Sequence, residues 1–160
     1  MSARATAIAS TVLLVFFLAS SSSTRVEAND DDGIVRVKSA YPMAETTTRL
    51  KKDLADKGII LFSEIDQSDL AAKAGVKVLP STLLVFGNPR LGALFLASSP
   101  ASGLDWPVRL LVHQDEKGDV WAVYSDFTWI ARRYRIKDRD EAFATASNVI
   151  ASITSSVQAK

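Results

Sequence analysis

Asn88 and Arg90 form the local pattern in this sequence that is best suited to hold an anion. Asn88 is a good N-cap and Pro89 a good first helical residue, so the pair predicts the start of a helix. A helix start presents free N–H groups and a partial positive charge, and Arg90 adds a planar set of hydrogen-bond donors. The same residues would also serve as a purely structural cap, so both interpretations stay open.

Arg109 and His113 are a second candidate pair for chemistry. They lie four residues apart on one predicted strand, with Leu111 between them, and therefore project from the same face. A histidine titrates near neutral pH, so His113 is a candidate acid–base group beside a charged neighbour. The alternatives are an exposed strand surface or a core histidine bonded to a backbone carbonyl.

Asp105 and Asp126 flank a predicted hairpin, one before its first strand and one after its second. An antiparallel return would bring the two carboxylates near each other, and paired carboxylates can divide acid and base roles. Together with Tyr124 or His113 they would suit a small hydrolase or isomerase. The alternative is that both aspartates cap a helix or a turn.

Cysteine and histidine counts exclude several kinds of site. The 160 residues include no cysteine and one histidine, which removes disulfide scaffolds, zinc–thiolate sites, Fe–S clusters, cysteine nucleophiles and multi-histidine metal sites. Glu64 and Asp66 share a strand face, but two carboxylates do not make a calcium or magnesium cage. We therefore predict no metal and no cofactor.

Three tryptophans lie near the predicted hairpin, Trp106, Trp121 and Trp129. Large rings of this kind line apolar pockets and interfaces between subunits, and they also fill ordinary cores. The sequence leaves these alternatives open.

The elements that must position these residues alternate along the chain. Hydrophobic periodicity predicts strands at 34–38, 59–65, 82–86, 106–114 and 119–124. Helices are predicted between Pro42 and Gly58, at 70–74, 90–97 and about 126–134, and from a capping-box-like start at Asp138 and Glu141. The order β-α-β-α-β-α-β-β-α-α predicts the α/β (α+β) class, with a single mixed β-sheet and helices packed on it. The continuously apolar strand at 82–86 is typical of a central strand covered on both faces.

Residues 1–28 have the layout of a secretory signal peptide. A basic start precedes an uncharged, mainly apolar stretch of 15 residues at 5–19, which is short against the ~20 that span a bilayer, and small residues precede a cut placed after Ala28. An acidic, flexible leader follows at 29–33, and the domain occupies 34–158. The residues after Ala28 carry 17 basic and 17 acidic side chains. We therefore expect a secreted, extracellular or secretory-lumen protein that binds neither nucleic acid nor, after cleavage, membrane.

The stretches PSTLLVFGNP at 80–89, ASGLDWPVR at 101–109 and GDVW at 118–121 resemble the DUF302 family, a domain of unknown function found in many bacteria and some eukaryotes. The resemblance spans about 34–157. It implies a compact α/β sandwich-like fold and a dimer, and it brings no catalytic mechanism. Many relatives carry a histidine shortly after the position of Asp66, where this chain has Gln67 and Ser68.

Two functions follow as hypotheses. The preferred one is a non-enzymatic secreted domain that binds a small apolar or anionic molecule, or a partner, in a cleft beside the Asn88 loop and the hairpin. The alternative is the small enzyme, which requires Asp66, Asp105, Asp126, His113 and Tyr124 to converge on one pocket. A homodimer is open as well, since strand 34–38 could pair across a two-fold axis while its basic residues could equally prevent that.

Overall fold

The structure, a computed structural model, describes residues 26–29 and 32–159. Strands β1 to β6 are Val26–Asn29, Ile34–Lys38, Ile60–Asp66, Ser81–Gly87, Val108–Gln114 and Val120–Ser125. Helices α1 to α5 are Met43–Asp56, Gln67–Lys73, Pro89–Ser98, Phe127–Tyr134 and Asp140–Ser155, and a 3₁₀ helix covers Pro100–Leu104. The predicted fold class and element order are confirmed from β2 onward, with β1 added in front.

The strands form one sheet in the order β1-β2-β6-β5-β4-β3. We expected a mixed sheet, but every pairing among the described strands is antiparallel. Asp66 pairs with Thr82, and Phe86 pairs with Val108, so each of these strands begins beside the end of the one before it. A parallel neighbour would need a connection that returns the chain to the start of the strand, and α2 and α3 do not make that return.

The core lies between one face of the sheet and the helices. Leu84, Leu110, Val112 and Ala122 are fully buried there. The predicted stripe of the last helix is confirmed, because all five of its residues are buried: Phe143, Ala146, Ile150, Ile153 and Val157.

β4 is covered on only one face of the sheet, whereas the sequence predicted that strand 82–86 would be covered on both faces. Leu83 and Val85 alternate with the buried Leu84 and Phe86 and remain half-buried. An antiparallel sheet can leave one face toward solvent. The continuous apolar run instead predicted a strand of the kind found in parallel sheets, which are covered on both faces.

Two helix starts were predicted from capping residues, with different outcomes. Asn88 caps α3 as expected. The predicted start at Asp138 and Glu141 is wrong, because the N-cap of α5 is Arg139 and no side chain caps it. Asp138 instead pairs with the Arg139 guanidinium at 2.8 Å and accepts a hydrogen bond from Ser98.

The predicted signal peptide lies outside the described residues, apart from the three residues Val26–Ala28, and the predicted cut after Ala28 falls within β1. Of the predicted leader, Asn29 ends β1, and Asp32 accepts a hydrogen bond from the Ile34 N–H at 2.9 Å. No helix in the described part of the chain combines the length and apolar character needed to cross a membrane.

The two edges of the described sheet are β1 and β3. Strand 34–38 was considered as an edge strand, but β2 lies between β1 and β6. In the described part of the chain the strand at the far edge is β3, paired only with β4.

Candidate functional site

A small apolar cavity lies where the end of β4, α3 and α5 meet. Its volume is about 50 Å³. Asn88 is the one side-chain amide among its lining residues, and the remainder are apolar or aromatic. Its principal walls are Phe86, Leu91, Phe95, Trp106, Phe127 and Ile150.

An open groove of about 590 Å³ lies beside this cavity. The two share Ile59, Asn88, Leu91 and Val149, so these four residues form a common wall. The groove adds two cationic and several polar side chains and no carboxylate: Lys57, Arg90, Thr145, Asn148 and Ser152.

The Asn88 cap forms the boundary between cavity and groove. Its Oδ1 accepts hydrogen bonds from the N–H groups of Arg90 at 3.0 Å and Leu91 at 3.4 Å. Because the Asn88 backbone is extended and Pro89 begins the helix, the chain turns sharply here and α3 starts directly above the end of β4. This turn places Arg90 on the rim of the groove and Leu91 in the cavity wall.

The electrostatics of the rim are positive. Lys57 is neutralised by Asp53, whose carboxylate is 2.6 Å from the ammonium. Arg90 is exposed and has no ion pair within the residues that the structure describes. Since its guanidinium stands at the start of a helix, the charge of Arg90 and the helix dipole add at the same point. The rim can therefore attract an anionic group.

Asp105 is the centre of a separate polar cluster. Its carboxylate, with 7% of the side chain exposed, accepts hydrogen bonds from the Tyr134 hydroxyl at 2.6 Å, from Arg109 at 3.0 Å and from Arg133 at 3.2 Å. Arg109 also donates to the carbonyl of Leu104. Burial raises the pKa of Tyr134, and its hydrogen bond to Asp105 raises it further. The cluster joins the 3₁₀ segment and β5 to α4, which is a structural role.

His113 and Tyr124 lie on different sides of the sheet. His113 is half-buried and is paired with Ser81 and Trp121 across the neighbouring strands, on the face away from the core. Tyr124 is buried on the core face, and this burial raises the pKa of its phenol. The two side chains cannot act on one reacting atom.

The carboxylates do not converge either. Asp126 caps α4, where it accepts hydrogen bonds from the Trp129 N–H at 2.7 Å and from the Thr128 hydroxyl. Asp105 instead accepts a hydrogen bond from Tyr134, the last residue of the same helix, whose Cα lies about 12 Å along the axis from that of Asp126 at 1.5 Å per residue. Asp66 caps α2. Of the residues considered from sequence, Asn88, Arg90 and Trp106 lie on the cavity and groove.

Comparison with known proteins adds a family to this geometry. The family model for "Domain of unknown function DUF302" matches residues 35–153. The chain belongs to the DUF302 family. A crystal structure of an uncharacterized conserved DUF302 protein from Bacillus stearothermophilus superposes with a TM-score of 0.72 at 20% identity, covering 79% of this chain and 98% of that one. The DUF302 fold is therefore shared at low sequence identity.

Curated relatives of this DUF302 chain are longer proteins. "Fluoride-specific ion channel FluC 1" of Brucella suis biovar 1 (strain 1330) is 34% identical over 106 residues, which is 66% of this chain and 42% of that protein. "Fluoride-specific ion channel FluC 1" of Brucella abortus biovar 1 (strain 9-941) has the same identity and length of match, with 39% of its own length covered. The chain spans about two-fifths of the curated relatives it matches.

Sequence reasoning missed one wall of the DUF302 groove. The outer face of α5 supplies Thr145, Asn148, Val149 and Ser152. These residues have the spacing i, i+3, i+4, i+7 and share one helical face, so their spacing alone could identify this wall of the groove. The apolar stripe on the buried face of the same helix is the more pronounced pattern and obscures it.

Proposed function

We propose that this DUF302 domain binds a small organic anion that carries an apolar end. The single observation that supports the proposal is that an apolar cavity shares a wall with a groove whose charged lining residues, among those described, are both cationic. The apolar end would enter the cavity beside Trp106. The anionic end would meet the Arg90 guanidinium at the rim, since the first N–H groups of α3 are already bonded to Asn88.

The size of the cavity limits the ligand class. One water needs roughly 10–15 Å³ measured in this way, so about 50 Å³ holds about four non-hydrogen atoms. That matches a short branched alkyl group or the edge of a ring, and it is too small for a fatty-acid chain. The wider groove holds the polar remainder of the molecule.

A catalytic function has less geometric support than binding. The acid–base candidates serve as the cap of α2, the cap of α4 and the centre of the Asp105 cluster. His113 and Tyr124 lie on opposite faces of the sheet, so a hydrolase or isomerase built on these groups would lack a common pocket.

We also propose that the domain acts after export. The support is the arrangement of residues 1–28, with a basic start, an apolar run and small residues before Asn29. Recovery of the protein from its native source, followed by N-terminal sequencing, would give Asn29 as the first residue. A first residue at Met1 would contradict the proposal.

Tryptophan fluorescence provides the binding test. The wild type is titrated with isobutyrate, benzoate, chloride and fluoride, and fluoride is included because the curated relatives are named as fluoride channels. The organic carboxylates are expected to change the emission of Trp106, whereas the two halides, which have no apolar end, leave it unchanged. Trp106→Phe should abolish the signal, which separates it from that of Trp121 and Trp129.

Two variants test where the anionic end and the apolar end of the ligand bind. Arg90→Ala should weaken carboxylate binding about tenfold, since a charge-assisted hydrogen bond contributes about 1.5 kcal/mol or more. Val149→Phe should block the cavity, because Val149 lines both spaces. Arg132→Ala, an exposed cation outside this groove, is the matched control. Equal affinities for Arg90→Ala and Arg132→Ala, or no binding of either carboxylate at millimolar concentration, would overturn the proposal.

A further inference from the structure

The α5 wall of the groove carries three exposed polar side chains that make no hydrogen bond to another described group. They are Thr145, Asn148 and Ser152, called here the α5 row. Apart from Ser147, which does not line the groove, the other hydroxyls of the five helices bond to protein groups, most of them to a backbone carbonyl one turn earlier. Serine and threonine in a helix can bond in this way wherever their rotamer allows it. The hydroxyls of the α5 row are therefore free to bond another molecule.

The exposed face of α5 is also without charge. Residues 142–155 of this helix include no Lys, Arg, Asp or Glu. A helix on the surface of a domain ordinarily presents charged residues to water, and Ser, Thr and Asn form helices less readily than Lys, Arg or Glu. Neither solvation nor helix stability favours the side chains of the α5 row at these positions, which indicates a role in recognition.

The hydrogen-bonding capacity of the α5 row indicates which groups a ligand would present to it. Hydroxyls and a side-chain amide can both donate and accept, whereas an ionised carboxylate only accepts. Ligand hydroxyls use both capacities, so they match the row better than further anionic groups would. The cations of the groove set the charge, because Lys57 is neutralised by Asp53 while Arg90 has no ion pair among the described residues. The complementary ligand carries several hydroxyls and one negative charge.

The spacing of the α5 row sets the size of the hydroxylated part. Side chains three and four residues apart on a helix have Cβ atoms about 5–6 Å apart, and the whole row extends about 10 Å at 1.5 Å per residue. Hydroxyls on opposite sides of one six-membered ring can reach two neighbouring members of such a row. The groove of about 590 Å³ has room for a ring of this kind.

We propose that the ligand of this groove is a polyhydroxylated organic anion of the sugar-acid class, with its hydroxyls bonded to the α5 row and its carboxylate paired with Arg90. The inference rests on the proposed function, because it specifies the polar part of the same ligand. An aryl glycoside of a sugar acid combines all the required groups. It has a ring edge for the apolar cavity, hydroxyls for α5 and one carboxylate for the rim.

Two matched ligands separate the contribution of the hydroxyls from that of the rest of the molecule. Phenyl β-D-glucuronide and 4-phenoxybutanoate hold a phenyl ring and a carboxylate the same number of bonds apart, and only the glucuronide carries hydroxyls. Isothermal titration calorimetry of the full chain measures both affinities. The glucuronide should bind at least about tenfold more tightly, since each added hydrogen bond strengthens binding about threefold to tenfold.

Variants of the α5 row test the contact at single residues. Asn148→Ala and Ser152→Ala replace exposed side chains with the best helix former, so both variants should fold. Each should weaken glucuronide binding about threefold to tenfold and leave 4-phenoxybutanoate binding unchanged. Ser155→Ala is the matched control and should change neither affinity. Ser155 is exposed on the same helix, does not line the groove, and already donates to the Ser152 carbonyl.

The outcomes distinguish failure of this inference from failure of the proposed function. A glucuronide affinity no higher than that of 4-phenoxybutanoate would overturn the inference while leaving anion binding in place. The same holds if Asn148→Ala and Ser152→Ala bind the glucuronide as well as Ser155→Ala does. No binding of either ligand at millimolar concentration would overturn both proposals.

Discussion

The indole of Trp106 lies directly against the backbone of Gly92 in α3. A Cβ at Gly92 would come within 1.9 Å of the Trp106 ring atom Cε2 and within 2.2 Å of its Nε1. Trp106 can therefore form a wall of the cavity only because residue 92 is a glycine.

Gly92→Ala is expected to destabilise the domain. Alanine is the better helix former by about 1 kcal/mol, but the methyl group cannot be placed unless Trp106 moves, and overpacking of this kind costs about 1–3 kcal/mol. The measurement is the free energy of unfolding in urea, with emission from Trp106 as a second readout. Trp106→Leu should remove the penalty of the alanine, so that Gly92→Ala in that background is neutral or stabilising. An equal loss of unfolding free energy in both backgrounds would show that the penalty does not come from contact between residue 92 and Trp106.

Asp105→Ala is expected to destabilise the fold more than removal of any surface carboxylate. The substitution leaves the Tyr134 hydroxyl and two guanidinium groups without their shared acceptor, at a cost of about 1–3 kcal/mol. Asp138→Ala is the control, because Asp138 also pairs with an arginine but is 59% exposed. Surface pairs contribute about 0–1 kcal/mol. Thermal unfolding of the two variants compares them, and similar losses would contradict the role given to Asp105.

Arg135→Gly is expected to stabilise the domain by about 0.5–1 kcal/mol. Arg135 follows α4 in the left-handed region, with φ of 55°, where its N–H donates to the Arg132 carbonyl at 3.1 Å. Glycine adopts this conformation without steric cost, although it is more flexible when unfolded. Arg132→Gly, in the last turn of the same helix, should instead destabilise by about 1 kcal/mol. Chemical denaturation of both variants gives the comparison, and a loss of stability in Arg135→Gly would be the contrary result.

Tyr124 is expected to make folding stability fall at alkaline pH. Burial raises the pKa of its phenol above the ordinary value of 10.0, so the folded state favours the protonated form. This contribution is complete below pH of about 10 and is lost as pH rises through the folded pKa. Tyr124→Phe should therefore show a shallower loss of stability than the wild type as the pH rises above 10.0. Identical pH slopes, measured by urea unfolding, would show that the phenol does not ionise on unfolding.

Local sequence signals predicted the elements well where a single residue determines a boundary. Asn88 and Pro89 start α3, and Gly58 with φ of 64° follows α1. The start of α5 was mispredicted because Asp138 has a nearer partner in Arg139, and a capping pattern does not reveal such competition.

The order of the strands and the position of the site could not be derived from local patterns. Nothing near β2 in sequence indicates that its neighbour is β6, since that pairing depends on the whole sheet. Asn88, Arg90 and Trp106 were identified, but the cavity and the groove also require α5, which only the tertiary fold brings beside them. Asp105 and Asp126 contact opposite ends of α4, since Asp126 caps its start and Asp105 accepts a hydrogen bond from its last residue.

The placement of β2 beside β6 has a consequence for how the nascent chain acquires its structure. The ion pair between Lys38 and Asp119 joins residues 81 positions apart, and the hydrogen bond from the Ser39 hydroxyl to the Val157 carbonyl spans 118. Contacts of this range close late and slow folding. Until residues 120–125 have been synthesised, β2 lacks its β6 neighbour, so this part of the sheet cannot form before most of the chain has been translated.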